Sequence, residues 1–433
     1  MAEHRRDAGL IRAVGPWDLT ASVINCVIGA SIFVLPATLA GYVGSLAPLA
    51  VLVGAIAVGA VAICFAEAGS RVSTSGGTYG YVDAAFGPLP AYVTGTLQWI
   101  ADTLGCASIA AALADMAVSS LSPSIVTPMR ATVIVVVIGS LAIVNIGGIA
   151  RAARFVNAVT LLKLLPPVIF LIVGVSAVHI ANFAERAMPS LEACGRALIL
   201  ILFALSGMET SLSASGEVLY PARTIPRALA TAMFAIVSLY VAVQVVAQGI
   251  LGTRLAHSSM PLADAMAGIS PGLRLLMIVG AALSMFAFLA SNVLGTPRML
   301  FALARDGLLP RILGHVHPRN HSPYAAILIY CALTLGLALT GTFAELAVLS
   351  ALATTPVYIA GCAAGWRLAR RRVTGAGEPL NFPWLVPAMV IGIASMGALI
   401  ALASHAEILG LTALICAAVI SYLLQRRTTM GHR

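Results

Sequence analysis

Lys163 is the single lysine of a 433-residue chain. It stands in the run Thr160-Leu-Leu-Lys-Leu-Leu-Pro166, with no charged neighbour. An ionisable group at bilayer depth is costly unless it is paired, wetted or in use. The residue is therefore either a proton-exchanging amine or a fixed ammonium held by backbone carbonyls. Asp102, in Gln98-Trp-Ile-Ala-Asp102, is a second charge in an apolar run. A carboxylate there favours a cationic side chain or a free amine, and a bond to another helix is the plainer alternative. Two stretches of small and polar residues complete the set: Gly29-Ala30-Ser31-Ile32, and Phe203-Ala204-Leu205-Ser206-Gly207-Met208-Glu209-Thr210. Each falls near the middle of an apolar run, where glycine relaxes the helical preference and hydroxyls can satisfy freed backbone groups. Taken singly, either stretch also reads as close helix packing. As a pair in corresponding places they point to a transporter's midplane site. N–H groups at such a break attract a carboxylate, and freed carbonyls attract an ammonium, so an unwound pair suits a zwitterion.

Other chemistries are poorly supplied. The seven cysteines show no CxxC spacing, which indicates neither a disulfide framework nor a zinc site. None of the eight histidines sits in mid-run, and the cluster His315, His317 and His321 reads as a solvated loop. No cofactor and no metal are expected, and a membrane-embedded enzyme would lack its nucleophile–base pair. A Walker-type loop is missing, so ATP-driven transport is not expected. No carbonyl filter or acidic ring marks a channel.

The elements that must carry these residues are membrane helices. Hydrophobic residues make up 60% of the chain and charged residues only 9%, against about 25% charged in a soluble domain. Twelve apolar runs are long enough to span, near 18–40, 46–69, 88–119, 131–148, 154–177, 196–219, 227–252, 272–304, 323–341, 344–366, 383–403 and 407–425. The alternating pattern of a barrel does not occur. With the N-terminus inside, 19 of the 24 arginines fall on the inner side and 5 on the outer. That bias follows the positive-inside rule, places both termini in the cytoplasm and accounts for the net charge of +9 without nucleic acid. The polar start Met1-Ala-Glu-His-Arg-Arg6 reads as no removable signal peptide. Glu67 at the inner end of the second run and Asp115 near the outer end of the third read as interfacial, and Glu345 as a helix cap.

Gly29-Ala-Ser-Ile-Phe33 followed by Leu35-Pro-Ala37 resembles the first-helix signature of the amino acid–polyamine–organocation (APC) superfamily. Phe203-Ala-Leu-Ser-Gly-Met-Glu209 with Glu217-Val-Leu-Tyr-Pro-Ala-Arg-Thr-Ile-Pro-Arg227 resembles its second main signature. Asn292 through Pro297-Arg298 and Ala304-Arg-Asp-Gly-Leu-Leu-Pro310 form a third match. The resemblance implies an all-α integral membrane protein of 12 transmembrane helices with the leucine-transporter-type fold. Two inverted five-helix repeats (18–177 and 196–366) would be followed by two extra helices (383–425), with cytoplasmic tails at 1–17 and 426–433. Helices 1 and 6 would be unwound at mid-membrane. The substrate carboxylate would meet backbone around Ala30, Ser31 and Ile32. Its amino group would meet carbonyls around Val27, Ile28, Phe203, Ala204 and Ser206, with Gly29 and Gly207 also among the substrate-binding residues. Phe203 matches an aromatic that covers the substrate in the arginine–agmatine exchanger, and Glu209 an acidic gate. Asn292 would line the side-chain pocket. Asp102 departs from that exchanger, which has a small uncharged residue there. Lys163 matches a fifth-helix lysine that replaces a sodium ion between helices 1, 5 and 8 in proton-coupled or sodium-independent members.

The expectation is a permease for amino acids in the plasma (inner) membrane, proton-coupled through Lys163 and working by alternating access. A sodium-independent exchanger of amino acids, cationic amino acids or polyamines stays open beside it, as does a transporter-like sensor. The partners expected are a small amino acid or amine, protons and the lipid bilayer, and no nucleic acid.

Overall fold

The computed structural model describes residues 14–72, 76–119, 121–146, 162–184, 188–213, 215–305, 308–316, 322–375 and 377–430. Its helices are α1 (Pro16–Val27), α2 (Ser31–Val43), α3 (Ala47–Arg71), α4 (Thr78–Phe86), α5 (Pro88–Val118), α6 (Pro123–Ile146), α7 (Leu165–Gly174) and α8 (Leu191–Leu205). They continue as α9 (Met208–Leu212), α10 (Pro221–Leu251), α11 (Pro261–Ala267), α12 (Pro271–Arg305), α13 (Tyr324–Thr340), α14 (Phe343–Arg370), α15 (Leu385–Ala401) and α16 (His405–Met430). The described residues contain no strand, only one bridge between Val14 and Val218. Among them, 8 helical runs are long and apolar enough to cross a membrane, accompanied by shorter apolar helices around α7, α13 and α15. The chain is thus a multi-pass membrane protein. One of the eight runs joins α2 and α3 through a 3-10 turn at Gly44–Leu46, where the sequence pattern predicts two spans.

Local chemistry sets the ends of these helices. Proline opens α5 and α10, where its missing N–H goes unneeded. Thr342 and Glu345 form a capping box at the start of α14, as expected for Glu345. The run predicted over 196–219 is different. Its helix starts earlier, at Leu191, on a Ser190 cap whose Oγ accepts from Ala193 N. It finishes at Leu212, because a 3-10 turn at Ser215–Glu217 and then Pro221 redirect the chain. Val14 N donates to Glu217 O (3.0 Å) and Leu219 N to Val14 O (2.9 Å), tying the approach to α1 to the segment after α9.

Small residues draw the helices together where lipid offers no hydrophobic drive. Gly361 and Gly365 of α14 lie against the Phe65 ring and Cys64 O of α3, so closely that a Cβ at either would collide. All seven cysteines are free. Asp115, with its side chain half exposed, pairs with Arg130 at the end of the bundle away from the termini.

Glu67 is a correction to the sequence reading: it is fully buried rather than interfacial. Its Oε1 accepts from Arg71 Nη2 at 2.6 Å and Nε at 2.9 Å, and its Oε2 accepts from Phe382 N at 3.0 Å. Arg71 also donates to Val373 O (3.1 Å) and Asn381 Oδ1 (2.7 Å). The pair thereby anchors the α14–α15 connection to the end of α3. Sequence spacing shows the i,i+4 pair, but not the loop some 310 residues away that buries it. Glu67→Ala strands a buried guanidinium, a loss of about 3–5 kcal/mol for broken buried pairs. The expected result is a clearly lowered unfolding temperature in detergent, read by intrinsic fluorescence.

Candidate substrate cavity

The site grows from two helix breaks. α1 stops at Val27, Ile28 adopts an extended conformation (ψ 93°), and α2 restarts at Ser31. α8 stops at Leu205 and α9 begins at Met208, with Gly207 between them at φ 119°. Only glycine adopts that φ without strain. A Cβ on Gly207 would also lie 2.8 Å from Cys26 O, so the two breaks touch backbone to backbone.

Carbonyls freed at the first break find side-chain donors. Lys163 Nζ donates to Asn25 O (2.8 Å) and Ile28 O (2.7 Å), and the residue is fully buried. Ser284 Oγ of α12 donates to Gly29 O (2.9 Å), and Asn25 Nδ2 donates to Ser291 Oγ (3.2 Å). Lys163 thus sits where the first broken helix, the start of α7 and the α12 hydroxyls converge. At the second break Ser206 Oγ donates to Phe203 O (2.8 Å). The first N–H groups of α2, which point back toward the break, have no helical acceptors of their own.

Between the breaks, α5, α12 and α14 close a cavity of about 50 Å³, room for a few waters. Two carboxyls face it. Glu209 Oε2 accepts from Tyr358 Oη (2.7 Å) and Gly207 N (3.1 Å). Asp102 lies beside the Thr210 hydroxyl and near Glu209. Phe203 reaches into the cavity and meets Phe343 edge to face, with ring centroids 6.0 Å apart. Phe288 covers Gly29, and Asn292, whose Nδ2 donates to Phe288 O (3.2 Å), completes the α12 wall. Ser31 Oγ shares a 2.6 Å hydrogen bond with Tyr240 Oη.

Of the residues singled out in the sequence, the cavity gathers Val27, Gly29, Ser31, Asp102, Phe203, Ser206, Gly207, Glu209 and Asn292. Ala30, Ile32 and Ala204 are buried behind the lining. The Ile28 carbonyl is taken by Lys163. Missed by sequence reasoning were Cys26 and the α14 groups Ser350, Thr354 and Tyr358. A signal existed for Ser350 and Thr354, which are polar residues four apart in an apolar run and so share one helix face. Tyr358 continues that face four residues on, but its partner Glu209, 149 residues away, is not legible from spacing.

A helical bundle with two touching breaks around a polar pocket narrows the choice to transporters, and comparison with known proteins decides it. The profile of the family described as amino acid permease matches residues 14–422. The chain belongs to that family, within the APC superfamily. The permease is 32% identical over 337 residues to an uncharacterized transporter of Mycobacterium tuberculosis, covering 76% of this chain and 74% of that one. It is 28% identical over 351 residues to the methylthioribose transporter of Bacillus subtilis, with 75% and 74% covered. It is also 28% identical over 343 residues to a branched-chain amino acid permease of the same organism, with 74% and 73% covered. It is a membrane transporter and not an enzyme.

Proposed function

We propose that the permease is a secondary active transporter of amino acids in the plasma membrane, with both termini cytoplasmic. Residues 18–177 and 196–366 act as two inverted five-helix repeats and 383–425 as two extra helices, twelve in all. The substrate's carboxylate is taken by the N–H groups at the start of α2, and its amino group by carbonyls at the two breaks. A second amine, where the substrate carries one, is taken by Asp102, with Glu209 as the gate. The observation that carries this reading is the meeting of both breaks at one small cavity holding two carboxyls. Its apolar walls, Phe203, Phe288 and Ile109, suit an aliphatic side chain, in keeping with the branched-chain permease among the relatives.

Lys163 is proposed as the proton-responsive residue. A second reading, exchange without proton coupling, draws on the same lysine: both bonds go to backbone, as for a fixed ammonium. Uptake into proteoliposomes tests both, using branched-chain, basic and acidic amino acids, polyamines and methylthioribose. Each is measured with and without an imposed pH gradient, and with internal substrate. Uphill accumulation on the gradient alone supports symport. Uptake that needs internal substrate supports exchange. Saturable counterflow with no panel member would overturn the amino acid reading.

Asp102→Asn gives the residue-level check. Removing a charge-assisted bond worth about 1.5–3 kcal/mol is expected to raise KM at least about tenfold for substrates carrying a second amine, with a smaller rise for neutral ones. An unchanged substrate ranking would remove Asp102 from the site.

A further inference from the structure

A second, larger cavity of about 430 Å³ lies on the far side of the cavity wall, between α5, α13, α14 and α16. On α16 it is lined by Glu407, Gly410, Leu411 and Leu414, one face of the helix. Glu407 sits at the helix start, at the end of the bundle away from the termini, and Leu414 lies about 10 Å deeper at 1.5 Å per residue. The cleft therefore runs from the level of the helix ends toward mid-depth. That is one leaflet of a hydrocarbon core about 30 Å thick. It opens laterally, where Leu333 and Leu349 are 45% and 40% exposed.

A void of this size does not stay empty in a packed protein, and the lining shows what fills it. Water needs two to four polar partners. The Thr103 hydroxyl is spent on Trp99 O (2.8 Å), and the Glu407 carboxylate on Arg196 Nη1 (2.7 Å) and Ser404 N (2.8 Å). The Trp99 Nε1–H, buried without an acceptor, leaves one donor and no more. A helix from a second copy, 10–12 Å across with its side chains, does not enter a cleft between helices. An acyl chain is slender, apolar and present at that depth all around the protein.

We propose that this cleft is a lipid site, occupied by one acyl chain of a bilayer phospholipid. The chain backs the substrate cavity directly. Thr103 follows Asp102 on α5, Leu352 lies between Ser350 and Thr354 on α14, and Ser350 Oγ donates to Ala101 O (2.7 Å) to join the two helices. Occupancy braces this seam whatever substrate the cavity takes.

Trp99 lines the cleft and is one of four tryptophans. The test is the full chain with Trp17, Trp366 and Trp384 changed to Phe, in nanodiscs of phosphatidylcholine with brominated acyl chains. Trp99 emission is expected to fall at least threefold against unbrominated lipid. A Cβ on Gly410 meets nothing within 4 Å, so the series Gly410→Ala, Gly410→Leu and Gly410→Phe fills the cleft progressively and is expected to restore emission in steps. The mild Ala and Leu variants keep the series readable should Phe fail to fold. Unquenched Trp99, or quenching indifferent to Gly410, would overturn the proposal. So would quenching by aqueous acrylamide, which assigns the cleft to water. Bromine quenching that appears only on diluting the protein in lipid assigns it to a second copy and equally overturns it.

Discussion

Lys163→Met is expected to abolish substrate accumulation driven by a pH gradient, a loss of about 100-fold or more in initial rate. The substitution keeps bulk and flexibility but strands Asn25 O and Ile28 O, the two carbonyls that the ammonium holds at 2.8 and 2.7 Å. Each unsatisfied buried acceptor costs about 1–3 kcal/mol, enough together to shift α1 from its place beside Lys163. Lys163→Arg separates charge from titration. It keeps a permanent cation and is expected to retain substrate binding while losing its response to the gradient. The sign follows from the bonds. A proton gained on the acidic side makes the ammonium, whose bonds to carbonyls are roughly twice as strong as those of a neutral amine. On the proposed coupling, its loss on the alkaline side would loosen α1 from α7 and α12. Accumulation should therefore rise with an acidic exterior and fall when the gradient is reversed. Counterflow at equal pH measures the remainder. If Lys163→Arg accumulates substrate on a pH gradient like the native chain, the lysine is a fixed charge and the exchange reading stands.

What the sequence makes legible follows from distance along the chain. The breaks are local: Gly29-Ala-Ser31 and Ser206-Gly207 announce themselves by small residues in apolar runs, and the helices part there. Lys163 is legible as an exception, because a lone amine in an apolar run needs a partner. That its partners are Asn25 O and Ile28 O, some 138 and 135 residues away, is a property of packing that no spacing encodes. Glu67 stands at the helix end as expected, and its burial went unseen for a related reason. Hydropathy puts it at the end of a helix, but the α14–α15 connection folds back over that end and excludes water. The site-lining half of α14 escaped notice because a span rich in Ala, Leu and Thr looks like scaffold until Ser350 and Tyr358 are seen bonding across to α5 and α9. Single apolar periodicity finds helices; it does not say which polar hydroxyl on a helix faces which neighbour.

Gly207→Ala tests the contact between the two breaks. At φ 119° an alanine is strained, by about 1–3 kcal/mol for a residue held in a sparsely populated region. Its methyl group would also stand 2.8 Å from Cys26 O and 3.0 Å from Cys26 C. Those atoms are backbone, so no rotamer relieves the clash, and α1 must move away from α8 and α9. That movement opens the cavity between the breaks and pulls on Asn25 O and Ile28 O, which Lys163 holds from the other side. The two disturbances reinforce each other, so KM should rise and the maximal rate fall together, with uptake down at least about 30-fold, or roughly 2 kcal/mol. Ser206→Ala, one residue earlier, removes only the hydrogen bond to Phe203 O. That is worth about 0.5–1.5 kcal/mol, and it should leave transport within roughly tenfold of native. Uptake kinetics and unfolding temperatures for the pair separate a contact that forms the site from one that merely steadies it. If Gly207→Ala transports as well as Ser206→Ala, the touching breaks do not build the substrate site.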